Sequence, residues 1–289
     1  MSETAIQSLE HVEAQLNYLS DTSDKPVTYT YEPPPGVPWA TGQYQARQAT
    51  IHDLRPLAQE FSLDEAGFQL VSHRSAVQNF WDEEELKRVY YPEAIDLLKR
   101  VTGATQVYIF DHTLRRRVPK VENDRAAGRG IPRQPAMRVH VDQTASSGVT
   151  RLRHAFPGEA EALLRHRVAI VNLWRPIKSP VLDAPLAVCD ARSVAPRDLV
   201  PSELLYRDRR GENYNVTYNA GHRWFYAPQM RSDEALLIKC FDSRDDGRTA
   251  RFAPHTAFED PTAPANAPPR ESLELRTYLF FGSEAQQRH

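Results

Sequence analysis

Arg138-Val139-His140-Val141-Asp142-Gln143-Thr144 reads as a β-strand. Successive strand side chains alternate faces, so His140 and Asp142 point the same way while Val141 faces the opposite, packed side. An imidazole and a carboxylate so placed supply two of the three ligands of a facial two-histidine, one-carboxylate iron site. Any polar surface strand can also contain His-x-Asp by chance. The deciding feature is a third ligand, a later histidine that the fold brings back.

Working outward, the 289-residue chain is long enough to bury a sizeable core. Its hydrophobic share of 40% and charged share of 26% are those of a globular protein. A net charge of -2 with scattered basic residues argues against nucleic acid as a partner. No apolar run reaches the roughly 18 residues a membrane helix needs, which argues against a membrane protein. The acidic start, MSETAIQSLEHVEAQL, lacks the basic and apolar regions of a secretory signal. Cys189 and Cys240 lie in apolar runs and read as buried thiols, so a reduced, cytoplasmic setting is expected.

Residues 2–20 predict an amphipathic helix, with Ile6, Leu9, Val12, Leu16 and Leu19 on one face. Residues 23–60 follow as a proline-rich arm. Together, residues 1–64 are expected to pack on a core formed by 65–289, as one structural unit that could meet a second copy through the N-terminal helix. Strands are predicted near 27–31, 45–53, 67–73 and 105–117. Asp82 to Lys99 predicts helix, broken at Pro92, N-capped by Asp82 and stopped by Gly103. Arg115-Arg116-Arg117 opens a polar stretch to Arg133, expected to be a mobile loop and a lid. A short helix at 158–167 and strands at 168–174, 185–194, 212–219, 224–226, 234–241 and 272–281 complete the chain. A helical front followed by many short strands predicts a mainly β fold with flanking helices, a jelly-roll or cupin-like double-stranded β-helix.

In such a barrel the missing ligand sits on a late strand, and two histidines are available. His222 lies in AGHRWFYAP and His255 in RFAPHTAFEDP. His255 is preferred, because the strand that follows it places Arg270, Ser272, Glu274 and Arg276 on one face. A guanidinium there offers a carboxylate a bidentate fork, and a hydroxyl two residues on can share it. Each residue also has a plainer reading: a turn histidine, a surface arginine, an Arg276–Glu274 ion pair. Their joint order is the stronger signal.

That order resembles the Fe(II)/2-oxoglutarate-dependent oxygenases, with His-x-Asp, a distal His and a terminal Arg-x-Ser. The chain is most similar to their AsaB-like and CmcJ-like hydroxylase/desaturase family of secondary metabolism. The matching stretches are Val107–His112, His140-Val-Asp142, Asn172-Leu-Trp-Arg-Pro176, Pro185–Ser193, His222-Arg-Trp-Phe-Tyr226, Lys239-Cys-Phe-Asp-Ser243, His255-Thr-Ala-Phe and Pro269-Arg-Glu-Ser272. They span roughly residues 65–281.

The resemblance implies that His140, Asp142 and His255 hold Fe(II), with 2-oxoglutarate and dioxygen taking the open positions. Arg270 or Arg276, with Ser272, would pair with the distal carboxylate of 2-oxoglutarate. Its decarboxylation to succinate and carbon dioxide would drive hydroxylation or desaturation of a small-molecule substrate. Halogenating relatives lack the carboxylate, so Asp142 speaks against halogenation. Tyr108, Trp174, Arg175, Lys178, His222 and Trp224 would line the substrate pocket, although aromatic residues in such strands also serve as plain core. Two alternatives stay open. One is an iron oxidase that uses no 2-oxoacid. The other is a non-catalytic or partner-dependent binding subunit on the same fold, a role suggested by the cephamycin methoxylation component.

Overall fold

The structure, a computed structural model, describes residues 6–20, 24–118 and 133–282. In chain order the strands are β1 (His11–Leu19), β2 (Val27–Tyr29), β3 (Tyr44–Asp53), β4 (Phe68–Ser72), β5 (Gln106–Arg116), β6 (His140–Val141) and β7 (Val168–Pro176). There follow β8 (Leu186–Cys189), β9 (Leu199–Leu205), β10 (Arg210–Val216), β11 (Trp224–Tyr226), β12 (Glu234–Asp242), β13 (His255–Ala257) and β14 (Glu271–Phe280). They form a five-stranded antiparallel sheet, β4-β12-β7-β14-β5, and a nine-stranded sheet, β1-β3-β11-β8-β13-β6-β10-β9-β2. The protein is mainly β, two sheets curled toward a half-barrel, as the strand count predicts.

Alternation along the central strands builds the layers. Val171 and Leu173 of β7, with Leu273 and Leu275 of β14, pack against Leu86, Tyr90, Ala94, Leu97 and Leu98 of a helical segment. Trp174, Leu236 and Ile238, one residue out of phase, join Val188 and Phe225 of the larger sheet. The smaller sheet is therefore covered on both faces, and its central strands β7 and β12 are buried at every position.

The helical segment starts with the turn Glu83–Glu85, where the Asp82 carboxylate accepts from the Glu84 and Glu85 amides. A π-helical stretch, Leu86–Tyr90, leads into α1 (Tyr91–Thr102). Pro92 does not break the helix. It sits in the first turn of α1, where its missing N–H is not needed. Gly103 ends it with φ 72°, a left-handed conformation that a Cβ would strain. Two further helices are α2 (Ala145–Ala155) and α3 (Ala160–Leu163).

The expectation for the N-terminus is also overturned. Residues 11–19 are not helix but β1, with Val12, Ala14, Leu16 and Tyr18 buried and His11, Glu13 and Gln15 exposed. The apolar positions fit both periods, and nine residues of antiparallel register with β3 decide for the strand. The helix expected to meet a second copy is thus part of the sheet. In the 115–133 stretch, Arg115 and Arg116 belong to β5 and pair with Ser272 and Glu271. Residues 119–132, the body of the expected lid, lie outside the described residues. No helix among the described residues is long and apolar enough to cross a membrane.

Candidate metal centre

His140 on β6 and His255 on β13 are direct register partners, so their side chains leave the same face of the same sheet. Their ring centroids are 4.5 Å apart. Asp142 follows β6 at once, its Oδ1 3.5 Å from His140 Nε2. One ligand atom from each of the three residues lies within 4.8 Å of the others. Immediately beyond, Thr144 caps α2 in a reciprocal capping box with Ser147, which fixes the chain where Asp142 leaves the strand.

Both histidines are oriented by the same device. His140 Nδ1 lies 2.7 Å from the Arg138 carbonyl and His255 Nδ1 3.1 Å from that of Ala253. A carbonyl only accepts, so each Nδ1 carries the proton and each Nε2 keeps its lone pair for a metal. On Asp142 the division is similar. Oδ2 accepts from Asn172 Nδ2 at 2.8 Å and from Arg276 Nε at 3.1 Å, which leaves Oδ1 toward the histidines. Two imidazole nitrogens and one carboxylate oxygen suit non-haem Fe(II).

The charge states agree. Burial would raise the Asp142 carboxyl, but Arg276, His140 and His255 hold it well below the usual carboxylate range. Burial, then the neighbouring His140, pushes His255 down to about 4. At neutral pH the site offers a carboxylate and a neutral His255 imidazole, the forms a cation needs.

Arg270 and Arg276 have different surroundings. Arg276 is committed to carboxylates: besides Asp142 it donates to Asp111 Oδ2 at 3.0 Å and to Glu274 Oε1 at 2.5 Å. Arg270, only 3% exposed, donates from Nη1 to the Ala184 carbonyl at 2.5 Å and lies over the Trp174 ring. Among the described residues it has no carboxylate within salt-bridge distance, and its Nε is buried without a partner. Burial, then Arg115, lowers its guanidinium to about 9. Ser272 Oγ, two residues on, is also buried and unpartnered. An unpaired buried guanidinium beside an orphaned hydroxyl is costly unless an anion completes it. These residues fit the distal carboxylate of a 2-oxoacid.

The comparisons agree with this chemistry. Residues 16–280 match the family described as an oxidoreductase/YMDC permease-like domain. The hydroxylase/desaturase efuI of Hormonema carpetanum is 37% identical over 262 residues, covering 85% of this chain and 87% of that protein. The Fe(II)/2-oxoglutarate-dependent dioxygenase nvfI of Aspergillus novofumigatus is 34% identical over 264 residues, covering 88% and 90%. This chain belongs to the Fe(II)/2-oxoglutarate-dependent hydroxylase/desaturase family. In three dimensions it superposes on the iron and alpha-ketoglutarate-dependent endoperoxidase NvfI with a TM-score of 0.83 at 30% identity, covering 94% of this chain and 99% of that one.

Two cavities flank the metal centre of this hydroxylase/desaturase family member. One of about 540 Å³ reaches Asp142 and is lined by Tyr108, Phe110 and Tyr278. The other, about 650 Å³, reaches His140. Of the expected substrate set, Tyr108 lines the first of these two cavities. Trp174 is core, stacked under Arg270. Lys178 is exposed and lines neither cavity. His222 lies apart from the centre, bridging Tyr18 OH at 3.0 Å and Asp198 Oδ2 at 3.1 Å, and Trp224 donates to the same tyrosine at 2.7 Å. Both hold β1 to the sheet rather than line a cavity. Arg175 packs over Phe80 and Tyr90. The sequence reading passed over Asn172 as a site residue, although an amide inside the apolar run VAIVNLW must find a partner, here Asp142.

Proposed function

We propose that the protein is a non-haem Fe(II)/2-oxoglutarate-dependent oxygenase that hydroxylates or desaturates a small natural product. The observation that carries this is the convergence of His140, Asp142 and His255 within 4.8 Å, each with its non-ligating atom already hydrogen bonded. When bound, the iron and 2-oxoglutarate would let dioxygen act as the oxidant: two of its four oxidising equivalents go to decarboxylating 2-oxoglutarate to succinate and carbon dioxide, and two to the organic substrate. His140, Asp142 and His255 hold the cation. Arg270 and Ser272 anchor the distal carboxylate of the cosubstrate, and Arg276 and Asn172 keep Asp142 in place. Arg270 is the better anchor because Arg276 already serves three carboxylates.

The chain works as one structural unit, a reading supported by β1 and β3 sharing a sheet with β6 and β13. Cys189 and Cys240 are free and buried, in keeping with a reducing, cytoplasmic setting. Anaerobic Fe(II) titration with and without 2-oxoglutarate tests the assignment. A weak visible charge-transfer band is expected with both present, and its loss in Asp142→Ala. Iron binding with no band for any 2-oxoacid would favour a 2-oxoacid-independent oxidase. No iron binding would leave a binding subunit.

A further inference from the structure

The cavity that reaches His140 differs in charge from its neighbour. Arg115, Arg133 and Arg138 lie in its wall, and no aspartate or glutamate stands among its described lining residues. The cavity that reaches Asp142 carries acids as well as bases, with Glu212 paired to Lys25 and Glu203 to Arg210. Three guanidiniums lining one space, with no carboxylate in the wall among the described residues, repel one another, and an anionic occupant relieves that.

None of the three has a carboxylate within salt-bridge distance among the described residues. Arg138 lies over Tyr44, its Cζ 4.2 Å from the ring centroid. That cation–π contact holds the guanidinium at the wall, where its N–H groups can donate to an occupant. Arg115 is tethered through Nη1 to the Gln134 carbonyl at 2.8 Å, and burial lowers its pKa. Tyr29, Trp39 and Tyr44 supply flat apolar surface from the segment preceding and including β3. About 650 Å³ is the volume of a drug-sized ligand site.

We propose that this cavity is the organic-substrate site and that its occupant is a ring-bearing carboxylic acid, the ring against Tyr29, Trp39 and Tyr44 and the carboxylate on Arg138 and Arg133. This rests on the oxygenase reading, in which the cosubstrate is anchored separately on Arg270 and Ser272.

The test uses the full chain loaded with Mn(II) and saturating 2-oxoglutarate under nitrogen. 2-Oxoglutarate binding, measured first and by itself, decides the oxygenase reading. Calorimetric titration then compares matched acids and primary amides: naphthalene-2-carboxylate, anthracene-2-carboxylate and cinnamate. The acids should bind at least about tenfold tighter than their amides, as a charge-assisted contact requires. That preference should vanish in Arg138→Gln and largely survive in Arg138→Lys, which keeps the charge. Three results would overturn the proposal: no acid binds, the amides bind as well, or the acids bind only when 2-oxoglutarate is absent. The last would make the basic wall part of the cosubstrate site.

Discussion

His140 and His255 face each other as register partners across β6 and β13, and each turns Nδ1 to the carbonyl two residues behind it. The repeated i−2 contact gives both rings the same tautomer and aims both Nε2 atoms at the space beside Asp142 Oδ1. Two strands of only two and three residues thus suffice to preorganise a metal site.

His255 and His222 should separate cleanly in a metal-binding assay. His255→Ala removes a ligand and should abolish tight Fe(II) or Mn(II) binding while the fold persists. His222→Ala should leave metal affinity within about twofold and cost roughly 1–3 kcal/mol of stability, because Tyr18 and Asp198 lose a buried partner. Equilibrium dialysis and urea unfolding on both variants read the two effects. Loss of metal in His222→Ala would contradict the geometry.

Arg270 and Arg276 should fail in different ways. Arg270→Gln should weaken 2-oxoglutarate by on the order of 100-fold, with metal affinity unchanged, since the groups that lose a partner, the ligand's carboxylate and the Ala184 carbonyl, include no metal ligand. Arg276→Gln frees Asp142 and leaves Glu274 buried beside it. Metal affinity should then fall roughly 10–100-fold, whatever the 2-oxoacid. Calorimetry with Mn(II), then with 2-oxoglutarate, distinguishes them. The reverse pattern would exchange their roles.

Much of this site was legible because strands alternate. His140 and Asp142 two apart, and Arg270, Ser272, Glu274 and Arg276 spaced by two, keep their facing in any sheet that buries Leu273 and Leu275 on the other side. Three features were not. β1 carries Val12, Leu16 and Leu19 at helical spacing, and only its pairing with β3 rules the helix out. α2 reads ASSGVTRLRHA, poor in strong helix formers over its first half, and is held by its Thr144 cap and by burial of Gly148 and Leu152. β9 contains Pro201, which local rules count against a strand. The basic cavity was hidden for another reason: Trp39, Arg115 and Arg138 come from distant stretches, and only the fold unites them.

His73 supplies a pH dependence away from the metal. It is 8% exposed, and burial, then Arg175, lowers its pKa to about 4 from 6.5. Above the unfolded value the ring is neutral in both states and costs nothing. As pH falls below about 6.5, the unfolded chain takes up a proton that the folded chain refuses until about 4, so stability declines through that window. Between pH 8 and pH 5 this amounts to about 2 kcal/mol at most. His73→Asn should flatten the urea-midpoint profile over that range by a corresponding amount. An unchanged slope would mean that His73 protonates freely in the folded protein.

Gly148 should tolerate no side chain while Phe241 is in place. A Cβ there would lie 2.5 Å from Phe241 Cδ2, well inside contact distance, and the ring is 1% exposed with little room to retreat. Alanine raises helix propensity, so on an open helix face this substitution would stabilise. Here overpacking should prevail, at roughly 1–3 kcal/mol, or a Tm drop of about 2–10 °C. The strain also reaches the metal centre, because α2 begins at Ala145, three residues after Asp142. Gly148→Ala should therefore weaken Mn(II) binding as well as lower Tm. Adding Phe241→Leu, which removes the clashing ring edge, should recover part of both losses. If the double variant is no better than the sum of the two single ones, the clash with Phe241 is not the cause.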